Sequence, residues 1–331
     1  MNWILLFSCL LNAPTPSATG ATTQATTADR PTLILVVGAA GEDEFGQVFV
    51  KSADRWVEAA RRGNANLVQV GRDDAAPAAD DKNRLKALID EQCAKPSSQP
   101  LWLVLIGHGT FDGKEAKFNL RGPDVADHEL ADWLKNGQRP LAVIDCSASS
   151  APFLNRLAAQ NRIVITATQS GHEVQYARFG DYLSAAITDP AADLDKDGQT
   201  SLLEAYLAAS HGVEEFYKQE GRLATEHALL DDNGDGRGTP AAWFQGIRAT
   251  RAAKDGAPLD GARAHQWHLV KSAAELAMTP QARAKRDDLE LKIEALRGKK
   301  ASIGEAEYYK QLDELMVQLA RVYQGSQGAR P

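Results

Sequence analysis

Three observations predict a three-layer α/β/α domain with a mostly parallel sheet. Five short runs of the chain are almost wholly apolar, segments of helical spacing separate them, and this alternation holds from Pro31 to about Asp189. Runs so uniformly apolar suit strands covered on both faces, as the strands of a parallel sheet are.

Thr32–Val37 is the first strand, β-branched and aliphatic, and Gly38 stops it. Helical spacing follows over Val48–Arg62, then a second strand at Leu67–Val70 and a helix at Lys82–Cys93. Leu101–Ile106 is the third strand, His128–Lys135 a helix, and Leu141–Ile144 the fourth strand. Ala151–Ala159 is helical, and Arg162–Ala167 is the fifth strand. After Asp189 the texture changes. Two Asp/Asn/Gly-rich loops appear at Asp193–Glu204 and Asp231–Gly236 with a helix-like segment between them, and Gly256–Gly261 reads as a loop.

The last segment carries two helical patterns. Leu289, Ile293 and Leu296 share one face of the first, and Tyr308, Leu312, Leu315, Leu319 and Val322 hold heptad-like spacing in the second. Ser302-Ile-Gly-Glu305 reads as a capping box between them, which makes a helical hairpin. Such a hairpin can pack on its own domain, engage a partner or self-associate. The division expected is an export signal over 1–12, a linker over 13–30, the α/β domain over 31–189, a calcium-loop region over 190–254, a linker and helix over 255–284, and the hairpin over 285–325.

Composition narrows the class. A net charge of -7 with no Lys/Arg stripe argues against a nucleic-acid surface. No apolar run reaches the roughly 18–20 residues that a membrane span needs. The short apolar start, followed by a Thr/Ala/Pro/Ser-rich stretch, points to an exported protein, periplasmic, extracellular or lipid-anchored, although it lacks a positive n-region. Leu6-Phe7-Ser8-Cys9 loosely resembles a lipoprotein box, so Cys9 is the candidate anchor; a cytoplasmic protein with a miscalled start is the alternative. The three cysteines Cys9, Cys93 and Cys146 make no disulfide scaffold, and a lone working thiol fits them better.

His108 stands in Ile-Gly-His-Gly-Thr directly after the third strand, and Cys146 in Ile-Asp-Cys-Ser-Ala-Ser-Ser directly after the fourth. In an open parallel sheet, residues just past the carboxyl ends of neighbouring strands converge on one crevice. A histidine and a cysteine placed there can form a thiol–imidazole dyad. Ser147-Ala-Ser-Ser150 offers N-cap residues for the helix that follows, whose N-terminus would lower the thiol's pKa. Gly109 has no side chain to obstruct a substrate, so its amide could face a developing oxyanion.

His-Gly after one apolar block and Cys after the next, in this order, resembles the clan of caspases, legumains, gingipains and separases, and the legumain family most. Thr166-Ala-Thr-Gln-Ser-Gly-His-Glu173, with Tyr176 and Gly180-Asp-Tyr-Leu-Ser184, looks like that family's substrate-side loop and helix. The resemblance covers about Thr32 to Asp189 and implies a caspase–hemoglobinase fold acting on a protein or peptide substrate. It makes His108 the catalytic imidazole and Cys146 the nucleophile, with the amides of Gly109 and Cys146 as the oxyanion hole. Departures accompany it. Ala40 stands where legumains place an Asn that orients the histidine, and Lys51 is the one basic residue near the pocket they line with cations. Asp145, next to the thiol, would oppose its ionisation if desolvated. His172 and Glu173 read as a polar pair in a solvated loop, or as substrate contacts.

Asp193–Glu204 matches an EF-hand loop position by position. Asp193, Asp195 and Asp197 offer oxygens at positions 1, 3 and 5, Gly198 turns the chain at 6, Gln199 gives its carbonyl at 7, Ser201 a side chain or water at 9, and Glu204 a bidentate carboxylate at 12. Ca2+ is the cofactor expected there. Asp231-Asp-Asn-Gly-Asp-Gly236 repeats the opening, but Ala242 stands at its position 12, so it is a half-site or a plain turn. Two functions compete: a cysteine-type endopeptidase stabilised by calcium, and a catalytically inactive, calcium-binding scaffold or interaction protein.

Overall fold

A computed structural model describes residues 29–72 and 81–327. The apolar start with Cys9, and the linker through residue 28, lie outside the described residues. The elements run β1 (Thr32–Val37), α1 (Asp43–Arg62), β2 (Asn66–Val70), α2 (Asp81–Ala94), β3 (Leu101–Ile106), β4 (Gly109–Phe111), β5 (Ala116–Phe118) and β6 (Val125–Ala126). Then come α3 (Asp127–Leu134), β7 (Leu141–Asp145), α4 (Ala151–Leu157), β8 (Arg162–Thr166), α5 (Phe179–Ala186) and α6 (Leu202–Gln219). The remainder is β9 (Leu229–Asp231), β10 (Thr239–Pro240), β11 (Phe244–Gln245), β12 (Arg248–Ala249), α7 (Ala262–His265), α8 (Ala273–Ala277), α9 (Pro280–Gly298), α10 (Lys300–Ile303) and α11 (Glu305–Gln327).

The main sheet has the order β10-β9-β8-β7-β3-β1-β2. Its five inner and early strands are parallel, as the unbroken apolar runs require, and β9 and β10 extend it antiparallel beyond β8. Strand alternation splits the core in two. Leu33, Leu35 and Val37 face Phe49 and Trp56 of α1, Leu183 of α5 and Tyr206 of α6. Ile34 and Val36 face Leu85 and Ile89 of α2, Leu130 of α3 and Phe153 of α4. The three-layer α/β/α architecture is therefore present, with helices on both faces of a mostly parallel sheet.

Local chemistry explains the helices. Asp43 and Glu44 open α1 and Arg61 and Arg62 close it, both favourable to the helix dipole. Its buried Phe49, Ala53, Trp56 and Ala60 recur at helical spacing. α1 begins before the expected Val48 because its first turn is acidic and polar rather than amphipathic. At α9, Thr279 accepts the amide of Ala282 and Pro280 fills the first turn.

α9 and α11 form the hairpin, with Leu289, Ile293, Leu296, Tyr308 and Val322 buried. The capping box expected at Ser302 is not its hinge. Ser302 lies within α10 and donates to the Lys299 carbonyl, while Gly304, at φ 78°, makes the break before Glu305. The left-handed backbone is available to glycine, so it, rather than a cap, turns the chain.

The chain after Asp189 is woven into the same core as far as Leu269, whereas Met278, Leu289 and Val322 form a separate cluster. β9 pairs with β8 through Ile165 and Leu230, and Leu202, Leu203 and Tyr206 join the α1/α5 side of the core. The Tyr206 hydroxyl lies 2.9 Å from the carbonyls of both Ala228 and Thr239, tying α6 to the edge strands. Tyr206→Phe should leave both carbonyls without that donor and lower stability by about 1–3 kcal/mol, read by urea unfolding. An unchanged midpoint would show that this tie carries no weight.

Candidate active site

β3 and β7 are paired in register, from Leu101 with Leu141 to Leu105 with Asp145. The chain leaves β3 through Gly107 into His108, and leaves β7 directly into Cys146, whose amide donates to the Leu105 carbonyl at 3.0 Å. Both residues therefore emerge at the same end of adjacent strands. Gly109 closes the gap between the two turns: a Cβ there would stand 2.1 Å from the Ala148 oxygen and 2.7 Å from Ser147 Oγ.

His108 Nε2 is 3.0 Å from the carbonyl oxygen of Ala40. A carbonyl can only accept, so Nε2 must carry the proton, and in neutral imidazole Nδ1 is then the free base. The position where the resemblance called for an Asn side chain is served by main chain instead. Nothing in the identity of Ala40 signals this, since every residue has a carbonyl. Phe45 and Phe49 meet the imidazole edge-on, with centroids at 4.9 and 5.1 Å, and Tyr176 lies at 6.1 Å. These rings fix the plane of His108.

Cys146 is buried, with 4 % of its surface exposed. Burial first, and the Asp145 carboxylate second, hold its thiol well above the ordinary range. Gly180 of α5 abuts it: a Cβ there would lie 2.6 Å from the Cys146 Cβ and 3.2 Å from Sγ. The start of α5 is set by Glu226, whose two carboxylate oxygens accept the amides of Arg178 and Phe179, each at 2.9 Å. This buried carboxylate, distant in sequence, escaped sequence reasoning because it belongs to no local motif. Tyr176 completes the wall, its phenol pushed up to about 12, by burial foremost.

Two expected contributions to the site are redirected. The Cys146 amide cannot face an oxyanion where it stands, because it is engaged in the β3–β7 ladder. Nor does α4 begin at the thiol. Its N-cap is Ser150, which makes no side-chain cap; Thr168 Oγ1 accepts the Ala151 amide at 3.2 Å and lies 3.1 Å from Ser150 Oγ. The intervening turn passes through Ser149 at φ 56°, with its amide donating to the Glu173 carbonyl.

His172 and Glu173 do not pair with each other. Glu173 Oε1 is 2.5 Å from His227 Nδ1 and its Oε2 accepts the Gln169 amide, whereas the His172 ring packs edge-on against Phe111. Lys51 lines a groove of about 1030 Å³ between α1 and α5, together with Ala40, Asp54 and Arg55. The groove thus adjoins the residue whose carbonyl holds His108.

Away from this crevice, Asp193, Asp195 and Asp197 bring carboxylate oxygens within 4.8 Å of one another. Gly198, at φ 89°, turns the loop as its sixth position requires. Ser201 N-caps α6 and Glu204 closes the reciprocal box. Gln199 directs its side-chain oxygen to the amide of Ser272.

No known family's sequence profile matches this chain, and no curated protein does. Among solved structures it is similar to the Drosophila initiator caspase Dronc, at 13 % identity and TM-score 0.36 over 68 % of this chain and 92 % of that one. It is similar to protein GSU0716 from Geobacter sulfurreducens, at 12 % identity and TM-score 0.39 over 55 % and 89 % of the two chains. Caspase-1 from Spodoptera frugiperda is similar at 8 % identity and TM-score 0.39 over 61 % and 86 %.

Asp145 carries its own test. Its Oδ1 accepts the amide and hydroxyl of Ser147 at 2.9 and 2.6 Å, but its Oδ2 is buried with no hydrogen-bond partner. Burial raises its pKa from 3.8 to about 7. The folded state therefore keeps a proton that the unfolded chain releases across that window, so stability falls as pH rises through it. Asp145→Asn retains an oxygen for Ser147 and removes the titration. Urea unfolding should show the variant gaining about 1–3 kcal/mol on the native protein between about pH 5 and about pH 8. A difference that does not change with pH would contradict an unpartnered buried carboxyl.

Proposed function

We propose that this protein is a cysteine-type endopeptidase of the caspase–legumain kind, with Cys146 as nucleophile and His108 as its base. The observation that carries the reading is the Ala40 carbonyl on His108 Nε2, which leaves Nδ1 unprotonated at the end of β3, beside the β7 turn that bears the thiol. Cys146 rests as a neutral thiol, because its burial, and then the neighbouring Asp145, disfavour a thiolate.

Attack on a peptide carbonyl then requires the Cys146 proton to pass to His108 Nδ1 as the S–C bond forms. The same nitrogen returns the proton to the departing amine, and water afterwards hydrolyses the thioester. The peptide enters along the groove between α1 and α5, and its arrival uncovers the buried thiol. Gly109, beside Ser147 and Ala148, supplies its amide to the oxyanion.

A second reading, an inactive scaffold, is favoured by the engaged Cys146 amide and the unpartnered Asp145 oxygen, neither of which helps acyl transfer. Labelling by a panel of thiol-directed peptidyl probes separates the two. Native protein should label at Cys146, and both Cys146→Ala and His108→Ala should lose about 100-fold or more of the rate. Native protein that labels no faster than Cys146→Ala makes the chain a scaffold.

A further inference from the structure

We propose that the chain binds two hard divalent cations of the calcium class, one in the Asp193–Glu204 loop and one in the loop opened by Asp231 and closed by Asp260. The inference stands apart from the peptidase reading, since neither loop contributes to the His108–Cys146 crevice.

The two loops run in step. At the sixth position, Gly198 donates its amide to Asp193 Oδ2 at 3.1 Å, and Gly236 donates to Asp231 Oδ2 at 2.7 Å. Both glycines have left-handed φ, 89° and 74°. Asp195 Oδ1 accepts the amide of Asp197, and Asn233 Oδ1 that of Asp235. Asp197 Oδ1 accepts the amide of Gln199, and Asp235 Oδ1 that of Arg237.

The correspondence extends to the residue that closes the loop. In the first loop Glu204 Oε1 accepts the amides of Leu194 and Asp195, at 2.7 and 3.3 Å, and Oε2 accepts the Ser201 hydroxyl at 2.8 Å. In the second, Asp260 Oδ1 accepts the amides of Asp232 and Asn233, at 2.9 and 3.1 Å, and Oδ2 accepts the Thr239 hydroxyl at 2.6 Å. Leu194 and Asp232, Asp195 and Asn233, and Ser201 and Thr239 occupy matching loop positions. Asp260 therefore stands where the twelfth residue would, although Ala242 holds that place in the sequence. A shorter side chain arriving from a later segment replaces a local glutamate.

Each loop also leaves a carboxylate oxygen that the protein does not satisfy. Asp193 is only 8 % exposed, and its Oδ1 is buried without a hydrogen-bond partner within the trio of Asp193, Asp195 and Asp197. In the second loop Asp235 is only half-buried, but its Oδ2 atom is enclosed and has no hydrogen-bond partner. A buried anionic oxygen with no donor is costly, and a cation is the partner that all the neighbouring acceptors could share. The second loop carries oxygen donors alone, on Asp231, Asn233, Asp235, Asp260 and the Arg237 carbonyl, types suited to a hard cation. An ion there would draw closer carboxylates that are not gathered as tightly as Asp193, Asp195 and Asp197 are. In the first, His265 Nε2 lies 3.0 Å from Asp195 Oδ2 and must yield to the ion or join its shell.

The test is calcium titration of the full chain after chelation, followed by calorimetry and by native mass spectrometry. Two ions should bind the native protein. Asp195→Asn and Asp235→Asn should each retain one, because these amides keep the local hydrogen bonds while removing a charge. Asp260→Asn, shown to be folded by circular dichroism, should lose the same ion as Asp235→Asn and keep the other. A native protein that binds fewer than two ions, or an Asp235→Asn or folded Asp260→Asn variant that still binds two with unchanged affinity, overturns the proposal.

Discussion

The in-register pairing of β3 with β7 is the constraint from which the crevice follows. Leu101 to Leu105 lie beside Leu141 to Asp145, every one of these residues buried, so neither strand can slip without exposing its core face. With the register fixed, the exits of the two strands are fixed as well, and His108 and Cys146 emerge side by side. The ladder reaches one residue past β7 through the Cys146 amide, which holds the backbone of Cys146 and leaves its N–H unavailable to any oxyanion.

The surroundings of the pair are assembled from distant parts of the chain. Ala40, from the turn after β1, orients the imidazole. Phe45 and Phe49 of α1 set its plane, while α5, held at its start by Glu226, brings Gly180 against the thiol. The result is a crevice in which burial keeps the Cys146 thiol protonated beside an imidazole of fixed orientation. In the proposed reaction the imidazole would therefore act as a base during attack rather than as half of a preformed ion pair. The buried Asp145 is the one element that strains this arrangement, and its charge is what a desolvated thiol can least tolerate nearby.

The parallel strands and most helices were legible because burial on two faces leaves a continuous apolar run, and burial on one leaves a helical stripe. The edge strands β9 and β10 were not, since Leu229–Asp231 and Thr239–Pro240 are too short to show a period. His108, Cys146 and Gly109 could be named from their places at strand ends. The Ala40 carbonyl and Glu226 could not: a backbone acceptor has no sequence signature, and a carboxylate acting across the fold has no spacing. Asp260 was hidden for the same reason, because loop motifs are read contiguously and this residue arrives from a separate segment. At the hairpin, Ser302 and Glu305 had the right letters for a cap, yet the left-handed Gly304 between them breaks the helix first.

The central claim is that the Ala40 carbonyl holds His108 with its proton on Nε2, leaving Nδ1 as the base. Nitrogen-15 NMR of the imidazole, in native protein at neutral pH, reads that tautomer directly. A His108 ring protonated at Nε2 and bare at Nδ1 is the expected result, whereas a neutral ring carrying its proton on Nδ1 would contradict it.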